Sequence, residues 1–325
     1  MRESRHYVLT CAVAALCATA APLYAQPEAG ERALRVMSYN IKHGQTNATC
    51  TTPPPEPGSP PNPDCNLDIE KSIAVIRSLD PDIVGMQEID RFWARSAYLD
   101  EPAVIGDALG YEHRCYAPNL NHGPDNHSPV PHQYGTVILS RFPILECRNT
   151  LLPRVATEEQ RGLTLAIVNV RGVPLQFFNT HLHTTAAARL LQTARVAEVL
   201  DAAPAGPRVM LGDFNARPTN VELAPIQARL LDSWLTAPVP DPANPNGFTS
   251  PADTDRNPTS RIDYVWISGD VAARGTAVPL DEATRLAADH YPVVADLALP
   301  GAAVGVGHVQ GRSPAPGSAR SATTG

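Results

Sequence analysis

The chain has 325 residues, 43% of them apolar, 6% aromatic and 18% charged, with a formal charge of −7 at neutral pH. That is too apolar and too weakly charged for a disordered chain, and 33 prolines exclude a fibre or coiled coil. Twenty-six Lys and Arg against 33 Asp and Glu leave no bulk positive field for a polyanion, so strong nucleic-acid affinity is not expected.

Arg2 and Arg5 precede an apolar stretch that ends in the small-residue pattern Leu23-Tyr24-Ala25, which reads as a secretory signal cut after Ala25. An uncleaved anchor is the alternative. No second run of spanning length follows, so the mature chain is expected to be secreted, without a transmembrane segment. A short linker, 26–32, leads into one domain, 33–299, and the Gly/Ala/Ser/Pro-rich segment 300–325 reads as a disordered tail. Beyond the signal four cysteines remain, Cys50, Cys65, Cys115 and Cys147. In an exported chain they suggest two disulfides, with Cys50–Cys65 and Cys115–Cys147 preferred among three pairings; four unpaired thiols are the alternative. Asn47-Ala48-Thr49 matches a glycosylation sequon.

In chain order, 33–41 reads as a strand and 67–79 as a helix, with Ile69, Ile73, Ile76 and Leu79 on one face and Pro81 as its stop. Segment 82–89 is a second strand, 102–109 a short helix ending at Gly110, and 111–117 a third strand. Further strands are expected at 136–140, 144–152, 163–170 and 174–182, the last two joined by a hairpin at VRGVP. An amphipathic helix at 186–200 and strands at 208–214, 261–268 and 292–299 complete the set, with long loops at 51–63 and 117–132. Many strands with few helices point to an α+β sandwich of two stacked sheets. Apolar strands end repeatedly in Asn40, Glu88, His181, Asp213 and Asp263. Each could be a turn residue alone, but buried charges are costly unless they share a metal or one another.

The motifs SYNI, DIVGMQEID, YGTVILSR, FNTHL, LGDFNARP, SRIDYV and ADHYPV occur in that order over residues 33–299. Together they resemble the endonuclease/exonuclease/phosphatase superfamily, which includes DNase I-like nucleases, apurinic endonucleases, inositol polyphosphate phosphatases and neutral sphingomyelinases. The resemblance implies a DNase I-like, four-layered α/β/β/α sandwich of two mostly antiparallel sheets. It also implies a catalytic set of His181, Asp213, Asn215, Asp263 and His290, in which Asp263 orients His290 and the Asp213/Asn215 pair positions or deprotonates water. Asn179 and Arg161 are expected at the substrate. Asn40, Glu88 and Asp289 are expected around one Mg²⁺ or Mn²⁺ ion, since oxygen ligands suit these ions. Lys42 stands where apurinic endonucleases carry a second carboxylate, and the Glu that supports the first His in DNase I-like nucleases has only Glu158 and Glu159 as candidates.

Arg161 could equally be a surface ion pair, Arg95, Ser96 and Asp100 loop residues, and Arg189 and Gln192 braces for the loop after His181. His122, His127 and His132 lack compact metal-ligand spacing. With two lysines and dispersed arginines, the expected activity is that of a secreted, monomeric phosphoesterase acting on a phosphodiester, as lipid headgroup or small molecule. An extracellular nuclease and an inactive binding protein are the alternatives. Phe92-Trp93 is the single candidate for a membrane-contact pair.

Overall fold

The computed structural model describes residues 32–47, 66–124, 129–238, 241–252 and 257–301. The leader, the tail with His308, the Pro-rich loop with Cys50 and Cys65, and His127 lie outside them. The elements are β1 (Arg32–Asn40), α1 (Ile69–Leu79), β2 (Ile83–Arg91), α2 (Glu101–Leu109), β3 (His113–His122), β4 (His132–Ser140), β5 (Ile144–Leu151), β6 (Gly162–Val170), β7 (Val173–His181), α3 (Ala186–Ala202), β8 (Arg208–Asp213), α4 (Ala224–Gln227), β9 (Leu231–Asp232), α5 (Ser233–Thr236), β10 (Asp263–Ile267), β11 (Ala272–Ala277), α6 (Glu282–Ala287) and β12 (Val293–Leu299).

They form two six-stranded sheets, ordered β11-β12-β1-β2-β4-β3 and β5-β6-β7-β8-β10-β9. One apolar cluster lies between the sheets, a second joins the first sheet to α1 and α2, and a third joins the other sheet to α3 and α4. This is the expected four-layered α+β sandwich. Helix α1 forms because Ile69, Ile73 and Ile76 recur on one face and are buried, each contributing about 2 kcal/mol. It stops where Asp80 turns left-handed before Pro81.

Topology gathers the polar strand ends. Each sheet has one parallel pair, β1/β2 and β7/β8, spanned by α1 and α3 respectively. Parallel neighbours finish at the same edge. Strand β10 runs antiparallel to β8 with Asp263 opposite Asp213, so its start lies at that edge. Strand β12 runs antiparallel to β1, which brings the preceding Asp289 and His290 there too.

Several expectations need correction. The 117–132 loop is shorter, because β3 continues to His122 and β4 starts at His132. Strands β9 and β11 and helices α4 to α6 carry weak local patterns and were not expected. Cys115 and Cys147 form a disulfide that joins β3 in one sheet to β5 in the other. Asn47 of the sequon has its Nδ2 2.5–3.0 Å from the carbonyls of Ala252, Arg285 and Ala288, so its amide is used in packing, while Ala48 and Thr49 lie outside the described residues. Among the described residues, no helix is long and apolar enough to cross a membrane.

Candidate active site

Asn40, the fully buried last residue of β1, donates from Nδ2 to Glu88 Oε1 at 3.0 Å and to Asp213 Oδ2 at 3.2 Å. One amide therefore bridges carboxylates from both sheets. Lys42 N–H donates to Asn40 Oδ1 at 3.1 Å and fixes which way the amide faces. Glu88 does not end β2 as expected; it sits in a β-bulge between Met86 and Ile89, at φ 57°. Lys42, His43 and Asn215 are also left-handed, at 47°, 43° and 49°. Such backbone costs roughly 1 kcal/mol or more per residue and tends to cluster at functional sites. Gly212 has φ 148°, and a Cβ there would meet the Thr180 carbonyl at 2.0 Å, so only glycine lets β8 pass β7 before Asp213.

Asp213 is buried, and Asn215 N–H donates to its Oδ1 at 2.8 Å. Its Oδ2 faces two imidazoles, with His181 Nε2 at 3.4 Å and His290 Nε2 at 3.8 Å. Burial and the charge of Asp263 push the Asp213 carboxyl up to about 7. His290 Nδ1–H donates to Asp263 Oδ2 at 2.9 Å. Burial alone would lower His290, but Asp263 and Asp213 outweigh it and hold the ring well above its ordinary value.

His181 has a different environment. Arg161 Nη1 donates to its Nδ1 at 2.7 Å. Because a guanidinium only donates, Nδ1 must be unprotonated and Nε2 carries the ring proton. Burial, reinforced by the charge of Arg161, lowers this imidazole well below its usual range, so it is a neutral Nε2–H donor. The acidic supports considered for it lie elsewhere. Glu159 pairs with Arg161 at 3.0 Å, and Glu158 approaches His183 and accepts from Thr185.

Asn179 does not face this cluster. Its Nδ2 donates to the carbonyls of Met86 and Val137, both at 2.9 Å, and its Oδ1 accepts from Gln87 Nε2 at 2.8 Å. Both amide hydrogens are engaged in clamping β7 to the opposing sheet, which leaves none for a substrate. Asn215 lies at the cluster, donating from Nδ2 to Leu182 O at 2.9 Å.

The metal-type residues form the other half of the site. Glu88 retains 24% side-chain exposure, and burial raises its carboxyl while Asn40 opposes the shift. His43, which sequence reasoning missed, brings Nδ1 to 3.9 Å from Glu88 Oε2. Burial and the charges of Arg95 and Lys42 lower this ring to about 3, so it is neutral and does not balance Glu88. Asp289 Oδ2 pairs with Lys42 Nζ at 3.2 Å, whereas its Oδ1 is buried without a hydrogen-bond partner among the described residues. A partly buried carboxylate lacking a cationic partner beside an orphaned carboxylate oxygen is a donor set that suits a hard divalent ion. Asp213, Asp263 and His290 are also close enough to ligate, within 4.8 Å of one another, and Asp263 Oδ1 is likewise buried without a hydrogen-bond partner among the described residues, although His290 stands between the two carboxylates.

The surroundings are structural. Arg95 makes a bidentate pair with buried Asp90, and Arg91 one with Asp100. Arg189 joins Glu222 to the His183 and Thr184 carbonyls, and Gln192 accepts from His183 N–H, bracing the segment after His181. Trp93 donates to the Gln133 carbonyl and packs edge-on against His122 and His132, so it serves the fold.

The endonuclease/exonuclease/phosphatase family profile matches residues 37–290, which contain every residue of this cluster. The chain belongs to the endonuclease/exonuclease/phosphatase family. Among solved structures, a family member from Beutenbergia cavernae DSM 12333 is 25% identical, with a TM-score of 0.59 over 83% of this chain and 72% of that one. The mannosyl-6-phosphatase Bt3783 of Bacteroides thetaiotaomicron VPI-5482 is 22% identical, with a TM-score of 0.59 over 81% and 99%. Truncated Caenorhabditis elegans TDP2 is 19% identical, with a TM-score of 0.53 over 82% and 97%. The last two share the fold. No curated protein matches the chain.

Proposed function

We propose that this family member is a secreted, monomeric hydrolase that uses one Mg²⁺ or Mn²⁺ ion to cleave a phosphodiester, on a lipid headgroup or a small molecule. The observation that carries the reading is the Asp213 carboxylate facing His181 Nε2 at 3.4 Å and His290 Nε2 at 3.8 Å. In-line hydrolysis of a phosphate ester needs a proton acceptor for water and donors over the non-bridging oxygens. Asp213, poised near neutrality and oriented by the Asn215 N–H, accepts the proton. His181 donates from Nε2–H as a neutral ring, and His290 donates as an imidazolium held by Asp263. Water oxygen bonds to phosphorus, its proton passes to Asp213, and the ester P–O bond breaks. The departing oxygen takes the proton held by His290, which Asp213 then restores. Arg161 acts through His181 by fixing its tautomer. Glu88 and Asp289, with the free lone pair of Asn40 Oδ1, would hold the ion, which supplies positive charge to the phosphate oxygens. The Cys115–Cys147 disulfide supports an oxidising compartment.

Bis(4-nitrophenyl) phosphate with Mg²⁺ or Mn²⁺ tests the reading. Turnover is expected to stop with EDTA and to fall in Asp213→Ala and His290→Ala. Equal turnover by both variants and the parent would falsify the assignment. Parallel assays on sphingomyelin, phosphatidylinositol, plasmid DNA and 4-nitrophenyl phosphate separate lipid, nuclease and monoesterase activities. A nuclease would need a basic groove, and the net charge of −7 argues against one.

A further inference from the structure

The segments that follow Asn215 and precede Asp263 line a cavity of about 430 Å³, to which none of His181, Asp213, Asp263 or His290 contributes. One wall is apolar, from Trp234, Leu235 and Phe248; the other carries Arg217, Ser260 and Arg261. The second wall is built from the segments that bear the reactive residues. Arg217 follows Asn215 by two positions, and Arg261 precedes Asp263 by two. The Tyr264 hydroxyl lies 2.7 Å from the Ala216 carbonyl and 3.0 Å from that of Arg261, so the two segments are fastened together. The polar wall of the cavity is thus held in register with the strand ends at Asp213 and Asp263.

The two arginines differ. Arg261 donates to buried Asp232 at 2.6 Å, and its charge is balanced there. The exposed Arg217 donates to Ser260 Oγ at 2.9 Å, and among the described residues no carboxylate lies within ion-pair distance of it. Among the described residues, no Asp or Glu lines the cavity. A guanidinium without a carboxylate partner among the described residues, facing a partly apolar recess, selects an anion attached to an apolar or ring surface. Leu235 keeps 74% exposure at this wall. The volume lies within the ~300–1,000 Å³ range of small-molecule sites.

We propose that this cavity is a subsite for one organic group of the phosphodiester, a ring-bearing group with a second negative charge that Arg217 pairs. The proposal rests on the phosphodiesterase reading and narrows its substrate class to small diesters of nucleotide or sugar-phosphate type. Neither wall is needed for the chemistry itself.

Three esters with a common 4-nitrophenolate leaving group test it: methyl 4-nitrophenyl phosphate, thymidine 5′-(4-nitrophenyl phosphate), and the same thymidine ester with a 3′-phosphate. The thymidine ester is expected to exceed the methyl ester about tenfold in kcat/KM, and the 3′-phosphate to add a further factor of about five, both through KM. Arg217→Ala removes the advantage of the 3′-phosphate, Arg217→Lys restores part of it, and Leu235→Asp lowers both ratios toward one. Ratios unchanged by all three variants overturn the subsite, whatever the absolute rates. Calorimetry with thymidine 3′,5′-bisphosphate and with glucose 1,6-bisphosphate gives a readout free of turnover and distinguishes the two ring types. About tenfold weaker binding of either in Arg217→Ala supports the subsite even if no ester is cleaved, an outcome that would defeat only the phosphodiesterase reading. Equal binding of both by variant and parent, or no binding by either, overturns it.

Discussion

The two halves of the site solve the problem of buried charge in opposite ways. In one, Asp213 and Asp263 alternate with His290, and His181 is supported by Arg161, so every carboxylate faces a nitrogen donor within the protein. In the other, Glu88 meets an amide and a neutral imidazole, and one oxygen of Asp289 meets nothing among the described residues. Each half keeps one buried carboxylate oxygen without a hydrogen-bond partner among the described residues, Asp263 Oδ1 in the first and Asp289 Oδ1 in the second, but only the first half sets an imidazole between its carboxylates. In the proposed mechanism proton transfer and cation binding fall to different residues, although Asn40 touches both halves through its single Nδ2.

The largest effects should come from the proton-handling half. Asp263→Asn removes the charge that holds the His290 imidazolium, and kcat is expected to drop by about 10³-fold, with the alkaline limb of the pH–rate profile moving to lower pH. Unchanged kcat and profile would merge the two halves into one. Arg161→Ala releases the His181 tautomer, with an expected loss of about 10²-fold. Nitrogen NMR should show His181 leaving the Nε2–H form, a change that a bare loss of a surface ion pair would not cause.

Stability gives smaller effects of either sign. Asn179→Ala leaves the Met86 and Val137 carbonyls and the Gln87 amide without their partner, at a cost of about 2–4 kcal/mol in urea unfolding. Asp213→Asn should act the other way. Between pH 3.8 and about 7 the folded chain keeps a proton on Asp213 that the unfolded chain releases, so this residue lowers stability progressively as pH rises through that window. Its replacement by Asn should raise Tm by roughly a few degrees at pH 8, and by less at pH 5. A Tm gain larger at pH 5 would reverse the sign assigned to Asp213.

Much of this was legible from the chain. Apolar strands ending in Asn40, His181 and Asp213 announced a shared edge, and the two helices that cross between parallel strands explain why the ends coincide. Glu88 was read as a strand end because a bulge leaves no mark in composition, and nothing local dictates a left-handed glutamate. Asn179 looked like a substrate contact because it shares a motif with His181; alternation puts both on one face of β7, but Asn179 lies two residues before the strand end, where the Met86 and Val137 carbonyls and Gln87 occupy its amide. The contact of Arg161 with His181 was more accessible: counting outward from the VRGVP turn, with Leu163 opposite Thr180, places Gly162 beside His181 and Arg161 next to it. His43 had no signal beyond its place in the NIKHG segment, since its approach to Glu88 depends on the left-handed turn after Asn40.

The division of labour between the halves can be measured directly by titrating Mn²⁺ into the parent, Glu88→Gln and Asp263→Asn proteins and counting the bound ion by electron paramagnetic resonance. One ion should bind to the parent and to Asp263→Asn with similar affinity, while Glu88→Gln should lose about 10²-fold or more. If Asp263→Asn abolishes binding and Glu88→Gln retains it, the ion belongs between Asp213, Asp263 and His290, and the assignment of the two halves is wrong.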